Sequence, residues 1–310
     1  MADAPKYRLV MRSDFDGIVC AVLLRKQGLI DDILFVHPKD MQDGKVEVTG
    51  KDITANLPYV PGVHLAFDHH VSENLRLEDK PLNLVNDPEA LSTAGVVYRH
   101  FGGRAAFPDV PAEMIAAVDK ADGGRFSREE VLRPRGWVLL HFLTDPRTGL
   151  GRFHDFRISN YNLMKDLIGY CERRPVDEIL VLPDVKERVD VYFKLEELCK
   201  SQIRRCAATH GDLMVLDLRS EDMIYPGNRF LIYALYPNCA ISMHVLWGRQ
   251  KQNVVFAVGK SIFNRSSKVN IGELMLRHGG GGHSNAGTCQ VEVDRAEGVL
   301  EELTREFAAG

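Results

Sequence analysis

The N-terminal half of the chain alternates between short apolar runs and polar or amphipathic segments. Apolar runs at residues 7–11, 33–36 and 63–67 each end in polar residues, and a helical pattern at residues 17–27 follows the first run. Parallel strands that are buried on both faces have this texture, and they need long, usually helical, crossovers. The pattern predicts an α/β domain built on a parallel sheet with helices on both faces. Ligands of such sheets gather at the carboxyl ends of the strands.

The middle of the chain is helical in pattern. A helix is predicted over residues 92–99, with Ser92 or Thr93 as its cap, and another over residues 112–120. Both hydroxyls are better explained as helix caps than as catalytic groups. A charged helical stretch then extends over residues 155–210.

Prolines divide this charged stretch, and its last part is predicted to connect two domains. Pro175 and Pro183 are breaks, because proline is disfavoured inside a helix. The predicted segments are an N-terminal domain at residues 1–185, a helical linker at 186–209 and a smaller domain at 210–310.

The C-terminal third has the texture of a small α+β domain. Runs of β-branched and aromatic residues predict strands, and two amphipathic stretches predict helices. The strands are predicted at residues 213–218, 230–236, 240–246 and 253–258, and the helices at 271–277 and 295–307.

Composition narrows the functional classes. The chain has 310 residues, 45% of them hydrophobic, which suffices for two cores. No run of about 18 apolar residues or secretory signal pattern is present, so a cytoplasmic protein without a membrane segment is expected. The six cysteines are scattered without a CxxC pair, which favours reduced, packed thiols. A net charge of −4 argues against a long footprint on duplex nucleic acid, although a short oligonucleotide is compatible with it.

Candidate chemistry begins with two aspartates at the end of the first predicted strand. Asp14 and Asp16 lie two residues apart, so in extended backbone their side chains leave the same face. Two such carboxylates repel each other unless a cation lies between them. Aspartates before a helix are also common caps, and for this pair alone the two interpretations are equally good.

The strongest local signal is the segment Asp68-His69-His70, directly after an apolar strand. A histidine can present one ring nitrogen to a metal while a nearby acceptor orients the other nitrogen. One histidine after a strand would be unremarkable. Two adjacent histidines after an aspartate, at the carboxyl end of a core strand, indicate a functional site.

Three further aspartates lie in predicted turns. Asp52 lies between two apolar segments, and Asp119 and Asp122 belong to an acid-rich turn after a helix. Each of them alone is best explained as a turn residue. Together with the other groups they provide the oxygen-rich set, with one or two imidazoles, that Mn²⁺ or Mg²⁺ prefers.

The order of these motifs resembles that of the DHH phosphoesterase superfamily. The matching motifs are Asp14-Phe15-Asp16-Gly17, an isolated Asp52, Asp68-His69-His70 and Asp122-Gly123-Gly124-Arg125-Phe126. The superfamily includes RecJ-type nucleases, oligoribonucleases, cyclic-dinucleotide phosphodiesterases, pyrophosphatases and exopolyphosphatases.

A second resemblance lies near the C-terminus. The segment from Asn264 to Asn270, followed by four glycines, His283 and Ala286-Gly287, looks like the DHHA1 substrate-binding domain. The resemblance therefore spans nearly the whole chain. It implies a DHH domain at residues 1–185 and a DHHA1 domain at residues 210–310.

Matched position by position, the resemblance implies roles for the acidic cluster. The implied metal ligands are Asp14, Asp16, Asp52, His69 and Asp122, with Asp52 bridging two ions. His70 would face the substrate phosphate, and Asp68 would orient an imidazole. The implied cofactor is Mn²⁺, two ions, with Mg²⁺ or Co²⁺ as alternatives.

Two positions depart from the family pattern or leave it ambiguous. The family usually has a histidine two residues before the first aspartate, where this sequence has Arg12, so one metal is expected to be weakly held or to have a substitute ligand. Asp119 competes with Asp122 for the fourth motif. We favour Asp122 because the sequence D-G-x-x-F begins with it.

The glycine run is the candidate substrate loop. Consecutive glycines let backbone N–H groups approach an anion closely, and Arg265 offers a fork that matches phosphate oxygens. A flexible connection is the simpler explanation for four glycines alone. The residues expected to bind substrate are Arg265, Gly280, Gly281, Gly282 and His283.

The function expected from these features is metal-dependent hydrolysis of a short 5′-phosphorylated oligonucleotide or a linear dinucleotide such as pGpG or pApA. The two-ion mechanism that the resemblance implies would yield mononucleotides. One alternative is a phosphoanhydride hydrolase of the exopolyphosphatase or pyrophosphatase kind. Another is a nucleotide-binding sensor with weakened chemistry, which Arg12 makes conceivable. The sequence leaves the oligomeric state open, with a homodimer as one option.

Overall fold

The chain folds into two compact units. The computed structural model describes residues 5–309 except 71, 72, 74, 75 and 78. The first unit comprises the residues up to Phe126 together with Pro134–Val191, and the second comprises Ser127–Arg133 and the residues from Tyr192 onward.

The first unit is built on a five-stranded sheet in which every pairing is parallel. The strand order β2-β1-β3-β4-β5 confirms the predicted α/β class. The strands are β1 (Tyr7–Met11), β2 (Ile30–Phe35), β3 (Asp52–Ala55), β4 (Leu65–Asp68) and β5 (Leu84–Asn86).

Helices alternate with and follow these strands, and the first of them is a core helix. Residues Phe15–Leu24 of α1 are all buried, which explains why the segment is apolar around its whole circumference. The helices described in the first unit are α1 (Phe15–Lys26), α2 (Pro38–Gln42), α3 (Thr93–His100), α4 (Ala112–Asp122), α6 (Gly136–Thr144), α7 (Asn160–Arg173) and α8 (Val176–Leu180). Ser92 caps α3 by accepting a hydrogen bond from the Gly95 N–H at 2.9 Å.

One long helix, α9 (Pro183–Cys206), begins in the first unit and ends in the second. Pro183 stands at its first position, where a missing N–H is not needed. The segment predicted as a linker, residues 186–209, therefore lies on α9 and on the strand that follows it. None of the helices in the described part of the chain is long and apolar enough to span a bilayer.

The second unit contains a six-stranded mixed sheet of order β10-β11-β9-β8-β7-β6. Only β7 and β8 pair in parallel. The strands are β6 (Ala207–His210), β7 (Leu213–Asp217), β8 (Ile241–Trp247), β9 (Val254–Lys260), β10 (Gly281–His283) and β11 (Ala286–Val291), and the helices are α5 (Arg128–Leu132), α10 (Leu231–Leu235), α11 (Ile271–Arg277) and α12 (Ala296–Ala309).

The core of the second unit lies between one face of this sheet and its helices. Ile271 and Met275 of α11 and Leu303 of α12 are buried against Met243 and Phe256 of the central strands. The predicted helices at 271–277 and 295–307 are thereby confirmed to within two residues.

The strand predicted at residues 230–236 is wrong. Residues Leu231–Leu235 form the short helix α10, and four of its five residues are buried. A short apolar run rich in aromatic and branched residues does not distinguish a strand from a buried helical turn, because neither has a polar face.

Candidate metal centre

Polar side chains follow three neighbouring strands of the first unit at the same edge of the sheet. Asp14 comes after β1, Asn56 directly after β3, and His69 and His70 directly after β4. Because these strands are parallel, their carboxyl ends lie together. The first turn of α1 adds Asp16 to this edge.

Asp14 is the N-cap of α1 and has several partners. Its Oδ1 accepts a hydrogen bond from the Gly17 N–H at 3.0 Å, as an N-cap oxygen does. The guanidinium Nε of Arg12 lies 3.0 Å from Oδ2. The amide Nδ2 of Asn56 lies 3.4 Å from each oxygen. The carboxylate is therefore surrounded by hydrogen-bond donors.

Asp16 is held by the beginning of α3. Its carboxylate is buried and accepts hydrogen bonds from the backbone N–H groups of Thr93 at 3.0 Å and Ala94 at 2.7 Å. The first N–H groups of a helix have no intrahelical acceptors, and the positive end of the helix dipole favours an anion there. This arrangement fixes the Asp16 carboxylate without neutralising it.

His69 is oriented as a metal-binding imidazole would be. Its Nδ1 lies 3.3 Å from the carbonyl oxygen of Ala90, so Nδ1 carries the proton and donates. Its Nε2 is buried, makes no hydrogen bond and lies 3.4 Å from Oδ2 of Asp122. His69 Nε2 is thus a buried nitrogen that faces a carboxylate and has no hydrogen-bond partner. A cation between the two groups would suit this position.

Asp122, the last residue of α4, completes a three-residue cluster. One ligand atom from each of Asp16, His69 and Asp122 lies within 4.8 Å of the others. Two carboxylates and one imidazole form a mixed oxygen and nitrogen donor set that suits Mn²⁺ and related divalent ions. The residues that the structure brings together therefore fit the metal that the family implies.

The electrostatics of the cluster also call for a cation. Burial and the charge of Asp122 raise the pKa of Asp16 well above its ordinary value. Burial lowers the pKa of His69, but the close contact with the Asp122 carboxylate and the charges of Asp16 and Asp122 outweigh this effect and raise that pKa to about 9. Without metal, the histidine therefore binds a proton that partly offsets the carboxylate charges.

Asp68 acts on the second histidine. Its buried carboxylate lies 2.7 Å from Nδ1 of His70 and accepts a hydrogen bond from that nitrogen. This contact fixes the ring orientation and the tautomer of His70. Asp68 thus contacts an imidazole directly, and the orienting role that the resemblance implies for it stays a prediction.

Asp52 lies at the other end of its strand. It is the first residue of β3 and pairs in register with Arg8, near the start of β1. Arg8 Nε donates to its Oδ1 at 2.6 Å, and the Thr49 N–H donates to its Oδ2 at 2.6 Å. The prediction that Asp52 bridges two ions is corrected here, because the carboxylate faces the amino edge of the sheet.

Asp119 has a structural partner. Its Oδ1 accepts a hydrogen bond from the hydroxyl of Ser92 at 2.6 Å, which ties α4 to the cap of α3. The choice of Asp122 over Asp119 for the fourth motif thus agrees with where the structure places the two side chains.

Three residues near the cluster were not predicted from the sequence as parts of it. Asn56 stands at the carboxyl end of β3, and the rule that ligands follow strand ends could have found it. The ion pair of Arg12 with Asp14 has no sequence signal beyond the departure from the family motif. The third residue is Arg147, which interacts electrostatically with two aspartates of this edge, Asp122 and Asp14. Burial lowers the pKa of Arg147, but these charges and that of Asp145 outweigh the effect of burial and raise the pKa.

The predicted substrate residues of the second unit lie around one hairpin. Gly279 and Gly280 close α11, since the Gly280 N–H donates to the Met275 carbonyl at 2.9 Å. Gly281, Gly282 and His283 form β10, which pairs with β11. The glycine run is therefore part of a helix end and a strand.

Arg265 lies in the segment between β9 and α11. Its Nε donates to the Ile262 carbonyl at 3.3 Å, and the residue is exposed, as His283 is. Binding of substrate by Arg265, Gly280, Gly281, Gly282 and His283 stays a prediction.

Two adjacent glycines in this run are expected to respond differently to alanine. A Cβ on Gly280 would lie 2.2 Å from the Thr288 carbonyl oxygen, whereas a Cβ on Gly281 would meet nothing within 4 Å. We expect Gly280→Ala to destabilise the second unit by about 1–3 kcal/mol, the usual cost of overpacking, and Gly281→Ala to leave its stability nearly unchanged. Urea denaturation followed by Trp247 fluorescence in a Trp137→Phe background would measure both. Equal stabilities of the two variants would contradict this packing account.

Solved structures show what the chain is similar to. It is 57% identical to a pGpG-specific phosphodiesterase, PggH from Vibrio cholerae, with a TM-score of 0.84 over 98% of this chain and 99% of that one. RecJ from Thermus thermophilus in complex with Mn²⁺ gives a TM-score of 0.58 at 14% identity over 99% of this chain and 52% of that chain. An exonuclease RecJ bound to manganese gives 0.54 at 14% identity, over 98% of this chain and 90% of that chain.

No protein-family model matches the chain, and no curated protein does. The two RecJ structures establish the fold alone at their low identity. The fold of the first unit and the Asp16, His69 and Asp122 cluster agree with a phosphoesterase of the DHH superfamily, which the sequence motifs resemble. Within that superfamily, the chain belongs to the family of the pGpG-specific phosphodiesterase PggH.

Proposed function

We propose that this protein is a metal-dependent phosphodiesterase that hydrolyses pGpG to mononucleotides. The observation that supports this most directly is the 57% identity to a pGpG-specific phosphodiesterase along nearly the whole of both chains. The cluster at the carboxyl edge of the first sheet supports the reaction class independently, since its donor set suits a divalent cation.

In this proposal Asp16, His69 and Asp122 would hold Mn²⁺. The ion would offset negative charge on phosphoryl oxygens and make water acidic enough to act as a nucleophile near neutral pH. The protein contributes the fixed geometry. The Thr93 and Ala94 N–H groups hold Asp16, and the Ala90 carbonyl sets the tautomer of His69, so that no ligand has to reorganise.

His70 is the proposed group that acts on the substrate. Asp68 accepts a hydrogen bond from Nδ1 of His70 at 2.7 Å and so fixes the orientation of the ring. Histidine is the side chain that most often acts as a general acid or base, and a ring oriented in this way is proposed to act on a phosphoryl or departing oxygen. Arg12 and Arg147 each form an ion pair with an aspartate, Asp14 and Asp145 respectively, and their other guanidinium N–H groups are proposed to contact a phosphate at the cluster.

A substrate panel tests this proposal. The purified protein with Mn²⁺ would be given pGpG, pApA, 3′-phosphoadenosine 5′-phosphate and a short polyphosphate, and the products would be separated by anion-exchange chromatography. We expect pGpG to be converted to GMP and polyphosphate to remain intact.

Other outcomes of the panel would contradict the proposal in recognisable ways. Release of inorganic phosphate from polyphosphate without cleavage of pGpG would identify a phosphoanhydride hydrolase. Tight binding of pGpG without turnover under Mn²⁺, Mg²⁺ or Co²⁺ would identify a nucleotide sensor.

A further inference from the structure

We infer that the centre binds one divalent cation per chain. Arg12 and Asn56 direct donors at the Asp14 carboxylate, which a second ion would need as a ligand. This inference rests on the proposed function, because it concerns the same centre. It differs from the two ions that the family resemblance implies.

The ligand set provides for one ion. Asp16, His69 and Asp122 form one group whose ligand atoms lie within 4.8 Å of one another. Within the described residues, no second group of three histidine, cysteine or acidic side chains converges in this way. An ion that has three protein ligands completes its shell with water and substrate oxygens, as catalytic ions commonly do.

At this edge the Asp68 carboxylate is bonded to Nδ1 of His70 at 2.7 Å. Asp14 is the carboxylate that the first family motif would offer to a second ion, and its oxygens already have donors. Arg12 Nε lies 3.0 Å from Oδ2, and the Gly17 N–H lies 3.0 Å from Oδ1. An arginine guanidinium is charged at every accessible pH, so it does not leave the carboxylate by losing a proton. A second ion bound to Asp14 would have to displace this cation.

Asn56 is a second donor that faces the Asp14 carboxylate. It directly follows β3, where its backbone is held in the left-handed region at a φ of 56°. Its Nδ2 faces both oxygens of Asp14 at 3.4 Å, so it points a donor at the carboxylate. The reverse orientation of the amide would set its oxygen against the carboxylate oxygens. Its Oδ1 is buried without a hydrogen bond, but one neutral oxygen does not replace a bridging carboxylate.

Asp14, the cluster carboxylates and Arg12 together leave a net charge that a single divalent ion neutralises, while Asp68 and Asp145 have partners of their own in His70 and Arg147. Asp14, Asp16 and Asp122 provide three negative charges when ionised, and Arg12 offsets one of them. The remaining two equal the charge of one Mn²⁺ or Mg²⁺. Asp52, which would have added another negative charge, is paired with Arg8 at the opposite edge of the sheet. Arg12 therefore supplies a permanent positive charge beside Asp14, at the carboxylate that a second ion would need.

Metal stoichiometry tests this inference without reference to activity. The wild-type protein and an Arg12→His/Asn56→Asp double variant would be equilibrated with saturating Mn²⁺, and bound metal would be counted by elemental analysis and by calorimetric titration. Electron paramagnetic resonance separates isolated Mn²⁺ from a spin-coupled pair. We expect one isolated ion per wild-type chain and two coupled ions in the double variant.

The matched control is Arg8→His. Arg8 lies on β1, and Arg12 directly follows that strand. Arg8 also pairs with an aspartate, but it does so at the opposite edge of the sheet. We expect this variant to bind one ion, like the wild type. Circular dichroism would check the fold of each variant, and if the double variant does not fold, the wild-type count decides.

The outcomes separate this inference from the proposed function. Two coupled ions in the wild-type protein would overturn the inference, whether or not pGpG is cleaved. One ion in a protein that does not cleave pGpG would overturn the proposed function and support the inference. A folded double variant that still binds one ion would overturn the roles given to Arg12 and Asn56.

Discussion

Replacing Asp122 with asparagine is expected to lower kcat/KM for pGpG by at least about 100-fold with Mn²⁺ present. Loss of groups that merely support metal ligands costs roughly 10 to 100-fold in affinity or activity, and Asp122 is placed as a direct ligand. Asparagine keeps the volume but removes the negative charge that Asp122 sets beside His69 and Asp16. Steady-state assays over a range of Mn²⁺ concentrations would show the loss and any recovery at high metal.

Asp119→Asn is the matched control for this variant. Asp119 lies three residues earlier on α4 and accepts a hydrogen bond from the Ser92 hydroxyl at 2.6 Å. An asparagine oxygen can accept the same bond, so we expect activity within a few fold of wild type. Equal losses in the two variants, or full activity of a folded Asp122→Asn protein, would show that Asp122 does not hold the metal.

The parallel sheet was predictable because its strands are buried on both faces. Apolar runs at residues 7–11 and 63–67 identified β1 and β4, and each ended in polar residues. Since parallel strands share a carboxyl edge, the sequence alone places Asp14, Asp16 and His69 together. Asp122 could be assigned to the same site only through the family motif, because the end of a helix gives no sequence signal comparable to the end of a parallel strand.

Asp52 was misplaced because a sequence pattern does not fix where a short strand begins. β3 has four residues, Asp52–Ala55, and all four are buried. An aspartate beside an apolar run can stand at either end of the strand, and the two ends face opposite edges of the sheet. The family resemblance has an isolated aspartate in its second motif and therefore favoured Asp52, whereas the residue that follows the carboxyl end of β3 is Asn56.

The glycine run shows a second limit of sequence reasoning. Glycine permits close approach of backbone to an anion, but it equally permits close approach to another strand. Gly282 pairs with Gly287 on β11, and a Cβ there would lie 2.2 Å from the Ala286 carbonyl oxygen. Packing accounts for Gly280 and Gly282 without a ligand. Gly281 has open space beside it, so packing does not explain why that position is a glycine.

The affinity of the centre for Mn²⁺ is expected to rise about tenfold or more per pH unit between about pH 6.5 and 8.5. The pKa of His69 in the metal-free folded protein is about 9, so over this range an ion must displace a proton from the imidazole. The raised pKa of Asp16 adds to the effect. Titration calorimetry in buffers of different ionisation enthalpy, under anaerobic conditions, would measure both the affinity and the release of at least one proton.

The free energy of unfolding of the metal-free protein is expected to fall as pH rises, whereas the affinity for Mn²⁺ rises. A folded pKa of about 9 lies above the ordinary value of 6.5, so protonated His69 stabilises the fold fully below pH 6.5. That contribution is lost as pH rises through about 9, where the cluster holds its carboxylates without a compensating proton. His69→Gln is expected to flatten both pH dependences. Mn²⁺ affinity that does not change with pH while His69 is present would show that the imidazole is not a ligand.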